Sequence, residues 1–120
     1  MAGYVDGFLL PVPKRKVAAY RRMAQKAGKI WRKYGALEFR ECMGDDLNIK
    51  GMPSLAKRVR LKPGETVFFS WIVYKSRQHR DRVNARVMKD PQIAKMMDPK
   101  DMPFDARRMA SGGFKMLVDL

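Results

Sequence analysis

The sequence contains a single cysteine, Cys42, and a single histidine, His79. One cysteine excludes an internal disulfide, which is typical of a protein from a reducing compartment, so we expect a cytoplasmic location. One cysteine and one histidine also supply too few ligands for a structural zinc site. We therefore expect neither a bound metal nor a cofactor.

Long apolar runs are absent as well. No stretch approaches the roughly 18 apolar residues that a membrane helix needs, and no basic segment precedes a long apolar stretch at the N-terminus, as a secretory signal requires. The only glycine pair, Gly112-Gly113, lacks the spacing of a phosphate-binding loop, and no nucleophile–histidine–acid set is readable. These absences predict a protein without a membrane partner and exclude the commonest nucleotide and hydrolase motifs.

Acidic residues are scarce, because 12 Asp and Glu stand against 26 Lys and Arg, which leaves a net charge of +14. Hydrophobic residues still make up 46% of the chain, so the high charge does not indicate disorder. A length of 120 residues predicts one domain that spans residues 1–120.

The hydrophobic pattern predicts four strands and two long helices. We expect strands at 4–10, 36–43, 66–74 and 108–120, a helix at 14–34, and a second helix that Ser76 caps and that runs to about Lys89. Pro11 is expected to end the first strand, and Gly112-Gly113 to form a bulge in the last. Residues 47–58 are expected to form an irregular excursion or a short hairpin.

The resulting order, β-α-β-β-α-β, predicts an α+β fold of the ferredoxin-like type, with an antiparallel sheet and both helices on one face. Both faces of the third strand are apolar, because Phe69 and Trp71 point one way while Phe68, Ile72 and Tyr74 point the other. Two helices cover only one face, so we expect the second face to pack on the same face of another copy in a homodimer. The alternative is that the excursion or the C-terminal tail folds across it.

Sequence blocks along the whole chain carry a resemblance to a known family. They are Tyr4-Val5-Asp6-Gly7-Phe8 with Pro11-Val12-Pro13, Gly35-Ala36-Leu37-Glu38, Phe69-Ser70-Trp71-Ile72-Val73-Tyr74, His79-Arg80-Asp81-Arg82-Val83-Asn84 and Met102-Pro103-Phe104-Asp105. In these blocks the chain resembles a bacterial family catalogued as domain of unknown function 1428. The resemblance implies a dimeric α/β barrel, in which two ferredoxin-like protomers join through their sheets. It implies no activity, since related barrels include monooxygenases, isomerases and haem enzymes.

Four polar residues are the candidates for catalysis in a cavity between sheet and helices, namely His79, Asp6, Arg40 and Tyr74. His79 is either a general base or a helix-start residue that bonds locally. Asp6 lies in an apolar strand and needs a partner, which Arg40 or Arg108 is expected to supply in a ligand site or a structural ion pair. Tyr74 either donates a hydrogen bond to a ligand or packs in the core.

Three further residues, Cys42, Trp71 and Asn84, are candidates for ligand binding. Glu38, Arg40 and Cys42 alternate on one face of the second strand, and Glu41 lies on the other. Cys42 is a reactive thiol where a cation lowers its pKa, and otherwise a small buried hydrophobe, which we favour. Trp71 is expected in core or interface packing. Asn84 is expected to bond the loop that ends at Asp105 rather than a ligand.

The first helix carries an uninterrupted basic stripe opposite its apolar residues, consisting of Arg21, Arg22, Lys26, Lys29, Arg32 and Lys33. Such a stripe can bind phosphates, although no interleaved aromatic residues provide a stacking platform and a solvated surface shows the same pattern. Three hypotheses follow: a homodimer that binds or converts a small molecule, an RNA-binding accessory protein that uses this stripe, and an interaction protein without catalysis. We favour the first.

Overall fold

Four strands and two long helices make up most of the described part of the chain, residues 3–120 of a computed structural model. The elements are β1 (Tyr4–Pro13), α1 (Val17–Lys33), β2 (Glu38–Met43), α2 (Leu55–Arg58), β3 (Glu65–Tyr74), α3 (Arg77–Met88), α4 (Pro91–Met96) and β4 (Ala110–Lys115). Single turns of 3₁₀ helix, Lys14–Lys16 and Ala106–Arg108, precede α1 and β4. The long elements follow the predicted order, with α2 and α4 as short additions.

The strands form one antiparallel sheet in the order β2-β3-β1-β4. The helix α1 therefore links two strands that flank β3, while α3 and α4 link two strands that flank β1. Each crossover skips one strand, which leaves all neighbours antiparallel. The α+β class with a four-stranded antiparallel sheet is confirmed.

One face of the sheet packs against the helices and forms the core. Tyr4, Ile72 and Tyr74 of this face cluster with Val83 and Val87 of α3, and all five are at least nine-tenths buried. Toward the other end of the sheet, a second cluster is built from residues of the same face and the first turns of α1: Leu10, Val12, Phe68, Tyr20 and Ala24. The spacing of four between Val83 and Val87 correctly predicts one buried helical face.

The opposite face of the sheet is apolar and open. Phe69 and Phe114 are 54% and 59% exposed on it. The C-terminal tail does not cover this face, because Leu117 and Val118 are themselves 91% and 75% exposed. The apolar second face predicted from the third strand is therefore present. Phe69 and Phe114 are exposed on it, whereas Val67, on the same face near one end of the sheet, is only 2% exposed.

Two local predictions are wrong, and of the two alternatives for residues 47–58 the irregular excursion is confirmed. β1 continues through Pro11 to Pro13 because β4 pairs with β1 only as far as Leu9, so that the later residues have a strand on one side alone and tolerate proline. The pair Gly112-Gly113 forms no bulge, since β4 keeps a continuous register along β1. Residues 47–58 form a loop and the short helix α2, which Ser54 caps, rather than a hairpin.

Gly113 is required where Tyr4 crosses β4. A β-carbon built at Gly113 would lie 2.9 Å from two carbons of the Tyr4 ring, and Tyr4 is only 7% exposed. We expect Gly113→Ala to lower the free energy of unfolding by about 1–3 kcal/mol, measured by urea denaturation. Gly112→Ala is the matched control, because its β-carbon would meet the Phe114 ring at 3.6 Å, an ordinary contact. Equal stabilities of the two variants would contradict this packing.

Candidate functional site

Asp6 lies on the helix-facing side of β1 and pairs with Arg80 of α3. Arg80 Nη1 donates to Asp6 Oδ1 at 3.0 Å, and Asp6 is only 7% exposed. The predicted partners are wrong, because Arg40 lies on the exposed edge strand and Arg108 pairs with Glu65. Burial raises the pKa of Asp6, and the Arg80 guanidinium opposes that shift.

Arg80 is held on several sides. Its guanidinium lies 5.0 Å from the centroid of the Tyr4 ring, and Nη2 donates to the Tyr4 hydroxyl at 3.4 Å. Its Nε is 2.9 Å from Asp81 Oδ1, but at an angle too poor for a hydrogen bond, so this buried N–H has no partner among the described residues. These contacts are typical of a structural ion pair, which is one of the two interpretations of Asp6.

Asn84 joins the two long helices to the sheet next to this pair. Its Oδ1 accepts from Trp31 Nε1 at 3.0 Å and from the Tyr74 hydroxyl at 3.2 Å. The expected bond to the loop ending at Asp105 is absent, because Asn84 follows the buried Val83 on the side of α3 that faces the core. Burial raises the pKa of Tyr74, so its hydroxyl remains a donor. One oxygen of Asn84 thus satisfies the donors of both Trp31 and Tyr74.

His79 makes the local bond that one interpretation expected of it. Its Nδ1 accepts from the Lys75 backbone N–H at 3.0 Å. The backbone N–H of His79 donates to the hydroxyl of Ser76, which caps α3. Burial lowers the pKa of His79, and the positive charges of Lys75 and Arg82 lower it further. The imidazole is therefore neutral at pH 7 and fixed by the start of the helix.

The remaining predicted residues lie on the open face of the sheet or at its edge. Trp71 stacks beside Phe69 with ring centroids 5.3 Å apart, and Arg40 is 4.0 Å from Glu38 with both side chains exposed. Cys42 is exposed, contrary to the prediction of a buried hydrophobe, because β2 is an edge strand and the helices cover its other face. We refer to Asp6, Arg80 and Tyr4 as the Asp6 cluster. The structure thus separates Trp71 and Cys42 from the Asp6 cluster by the thickness of the sheet.

A concave site lies elsewhere, in a cleft between α1 and β2 with a volume of about 930 Å³. This volume is in the upper part of the range that small-molecule sites occupy. Its floor is mostly apolar and aromatic, and four cations stand along it: Arg21, Lys29, Arg32 and Arg40. We refer to it as the α1–β2 cleft.

Gly28 explains how α1 and β2 meet along this cleft. A β-carbon at Gly28 would lie 2.7 Å from Phe39 Cδ1, so the missing side chain lets the Phe39 ring lie directly against the helix backbone. The edge strand and helix touch there, while both continue to line the open cleft beside it.

Glu41 is one of two acidic residues that line the α1–β2 cleft, the other being Glu38. The alternation along β2 predicts the face on which Glu41 lies but not a site there. Glu41 Oε1 accepts hydrogen bonds from the Tyr20 hydroxyl at 2.8 Å and from the Ser70 hydroxyl. Burial raises the pKa of Glu41, against the two hydroxyl donors, which lower it. The available signal was a lone acid on the helix-facing side of a strand, which requires either a partner or a function.

The basic stripe borders the α1–β2 cleft along one margin. Arg21, Lys29 and Arg32 line the cleft, whereas the other three stripe residues do not. All six are exposed. Arg32 is already engaged, because its Nη1 donates to the carbonyls of Ala36, at 3.2 Å, and Leu37. Arg21 and Lys29 therefore remain as the helix cations available to a molecule in the cleft.

Comparison with known proteins shows the family to which this chain belongs. Residues 3–106 match the family described as Protein of unknown function (DUF1428). The chain belongs to this family. It is 40% identical over 116 residues, 97% of each chain, to the proteins named Uncharacterized protein YbaA of Escherichia coli K12 and of Shigella flexneri. The resemblance of the sequence blocks to the family is thus confirmed.

A solved structure shares the fold of this family member. It is described as an uncharacterized NIPSNAP domain protein from Burkholderia xenovorans, with a TM-score of 0.58, 19% identity and coverage of 92% of this chain and 91% of that one. At this identity the likeness concerns the fold alone.

Among residues 3–120, no helix is both long and apolar enough to cross a membrane, and no three His, Cys, Asp or Glu side chains gather as metal ligands would.

Proposed function

We propose that the α1–β2 cleft binds a small organic anion. The observation that carries this proposal is the combination, in one cleft, of a mostly apolar floor, a cationic margin and a carboxylate fixed by two hydroxyls. Small-molecule sites have this composition, in which apolar surface provides affinity and a few oriented polar groups provide specificity. The Asp6 cluster is the weaker candidate, since its polar groups mostly satisfy one another.

The charges around the cleft favour an anion. Arg21 and Lys29 contribute positive charge, whereas Arg40 lies on the edge strand, where Glu38 at 4.0 Å offsets part of its charge. Arg21 and Lys29 have no ion-pair partner among the described residues. A carboxylate, sulfonate or phosphate on an apolar body would therefore meet two unpaired cations at one margin of the cleft.

The anion probe 8-anilinonaphthalene-1-sulfonate tests this site through its fluorescence. We expect Arg21→Glu to weaken binding of the probe at least about tenfold, because a cation at the cleft becomes a repelling anion. Arg22→Glu is the matched control, since it makes the same change of charge on the next residue of α1, outside the cleft. We expect this control to change the dissociation constant less than about twofold.

The same pair of variants separates the cleft from the alternative of RNA binding along the stripe. A phosphate backbone that tracks the stripe would lose affinity in both variants alike, with a steep salt dependence. Equal losses of probe binding in Arg21→Glu and Arg22→Glu would count against the cleft and in favour of a polyanion surface.

We further propose that the chain is a ferredoxin-like protomer of a dimeric α/β barrel, paired through the open face of the sheet. A chain of charge +14 repels its own copy. The open face is the surface that suits self-association, because β1, β3 and β4 present no charged side chain there between Val5 and Leu9, Phe69 and Val73, and Ala110 and Phe114. A two-fold axis would bury the same apolar patch on both protomers. The cytoplasmic location stays a prediction.

A further inference from the structure

The two oxygens of Glu41 have different surroundings. Oε1 is occupied by two donors, the hydroxyls of Tyr20 and Ser70, and these side chains are 4% and 5% exposed. Oε2 accepts no hydrogen bond from the described residues, and it is not among their buried unpaired atoms, so it is at least partly exposed where Glu41 lines the cleft. One oxygen anchors the carboxylate, and the other is an open acceptor.

We propose that Glu41 Oε2 selects ligands that carry a hydrogen-bond donor, so that the cleft takes an organic anion bearing a hydroxyl or N–H group on its apolar body. This inference rests on the proposed function of the cleft and adds the substrate class. A carboxylate oxygen that a ligand deprives of water must receive a new donor, or the binding energy falls by the desolvation cost. The cationic margin takes the anionic end of the same ligand.

The anchoring hydroxyls make the acceptor specific. Burial raises the pKa of Tyr20 and keeps its hydroxyl protonated as a donor. Tyr20 also packs on Phe68 with ring centroids 4.3 Å apart, which fixes the direction from which it reaches Glu41. With Oε1 held from α1 and from β3, the carboxylate plane cannot turn freely to present another group.

Hydroxynaphthoates provide the probe, each compared with its own methyl ether. The 5-, 6- and 7-hydroxy-2-naphthoates and the matching methoxy-2-naphthoates share an anionic end and an aromatic body. Each ether differs from its hydroxy isomer in that a methyl group replaces the donor hydrogen. We expect at least one hydroxy isomer to bind wild-type protein about tenfold or more tightly than its ether, since a hydrogen bond to a charged group is lost in the ether. Displacement of the anilinonaphthalene probe gives the dissociation constants.

Glu41→Gln tests the residue itself. The Tyr20 and Ser70 hydroxyls would hold the amide oxygen in the place of Oε1, so the amide NH₂, a donor, would face the cleft. The preference of that isomer over its ether is then expected to fall to about onefold, because an ether oxygen accepts from NH₂ as a hydroxyl does. Circular dichroism shows whether the variant is folded. The ratio of the two dissociation constants on wild-type protein tests the donor requirement without any variant.

The outcomes separate the two proposals. If Arg21→Glu weakens probe binding but every hydroxy isomer and its ether bind wild type equally, the cleft is a ligand site and the donor requirement is wrong. A preference that survives in folded Glu41→Gln also overturns the role of Glu41. If Arg21→Glu and Arg22→Glu bind alike, the proposed function itself fails.

Discussion

Replacing Arg80 by methionine is expected to lower the free energy of unfolding by about 3–5 kcal/mol at pH 7, because it leaves the Asp6 carboxylate buried without its partner. Asp6 is 7% exposed and receives the Arg80 Nη1–H at 3.0 Å. Asp6→Asn is expected to cost less, since the Arg80 side chain is 21% exposed and its charge can be hydrated in part. Urea denaturation of both variants gives the comparison.

The stability that Arg80→Met loses relative to wild type is expected to depend on pH, and the pKa of Asp6 gives the direction. Burial already raises the pKa of Asp6 in the folded protein above its ordinary value of 3.8, and the loss of Arg80 raises it further. A carboxyl group with a raised folded-state pKa contributes stability below the unfolded pKa and loses it as the pH rises through the folded pKa. The deficit relative to wild type should therefore grow from pH 4 to pH 7.

A double variant provides the control for the Arg80 prediction. Asp6→Leu combined with Arg80→Met removes both charges and should recover more than half of the stability that Arg80→Met loses. A double variant no more stable than Arg80→Met alone, or a deficit that is the same at pH 4 and pH 7, would contradict an energetic role for the pair.

Phe69→Asp is expected to convert the proposed dimer into monomers. Sedimentation should then report a single chain mass of 13.9 kDa in place of twice that mass. Each dimer interface would then bury two unpaired carboxylates, one from each protomer. Because burying each one costs about 2 kcal/mol or more, the dissociation constant of the dimer should rise by about a thousandfold or more. The protomer should stay folded, because Phe69 is 54% exposed within it.

Met88→Asp is the matched control for the dimer. Met88 is 51% exposed on α3, away from the open face of the sheet, and the substitution adds the same charge. We expect this variant to keep the dimer. A wild-type protein that sediments as a monomer at micromolar concentration, or a Phe69→Asp variant that stays dimeric, would contradict pairing through the open face.

Much of the fold could be predicted from the sequence because it depends on local pattern. Ser76 caps α3 as expected. Gly35, which follows the C-terminal cap of α1 at Tyr34, adopts φ 117°, the left-handed conformation that the residue after a helix cap often requires. The extension of β1 through Pro11 could not be predicted, since it depends on how far β4 runs alongside. That length is a property of the assembled sheet.

The candidate site was harder to predict because it depends on which elements cross. Asp6 needed a partner, but Arg80 is 74 residues away and approaches only once α3 lies over β1. Glu41 was assigned to the correct face of its strand. Nothing local indicated that α1 and the edge strand β2 would leave an open cleft there, or that Tyr20 and Ser70 would converge on one oxygen.

The most direct test of the cleft is an NMR titration of uniformly ¹⁵N-labelled wild-type protein with 8-anilinonaphthalene-1-sulfonate. The proposal predicts that the backbone amide shifts that move with added probe belong to the lining of the α1–β2 cleft, including Tyr20, Gly28 and Glu41. Shifts confined to the apolar hollow on the open face, at Val5, Trp71 and Phe114, would contradict the cleft as the binding site.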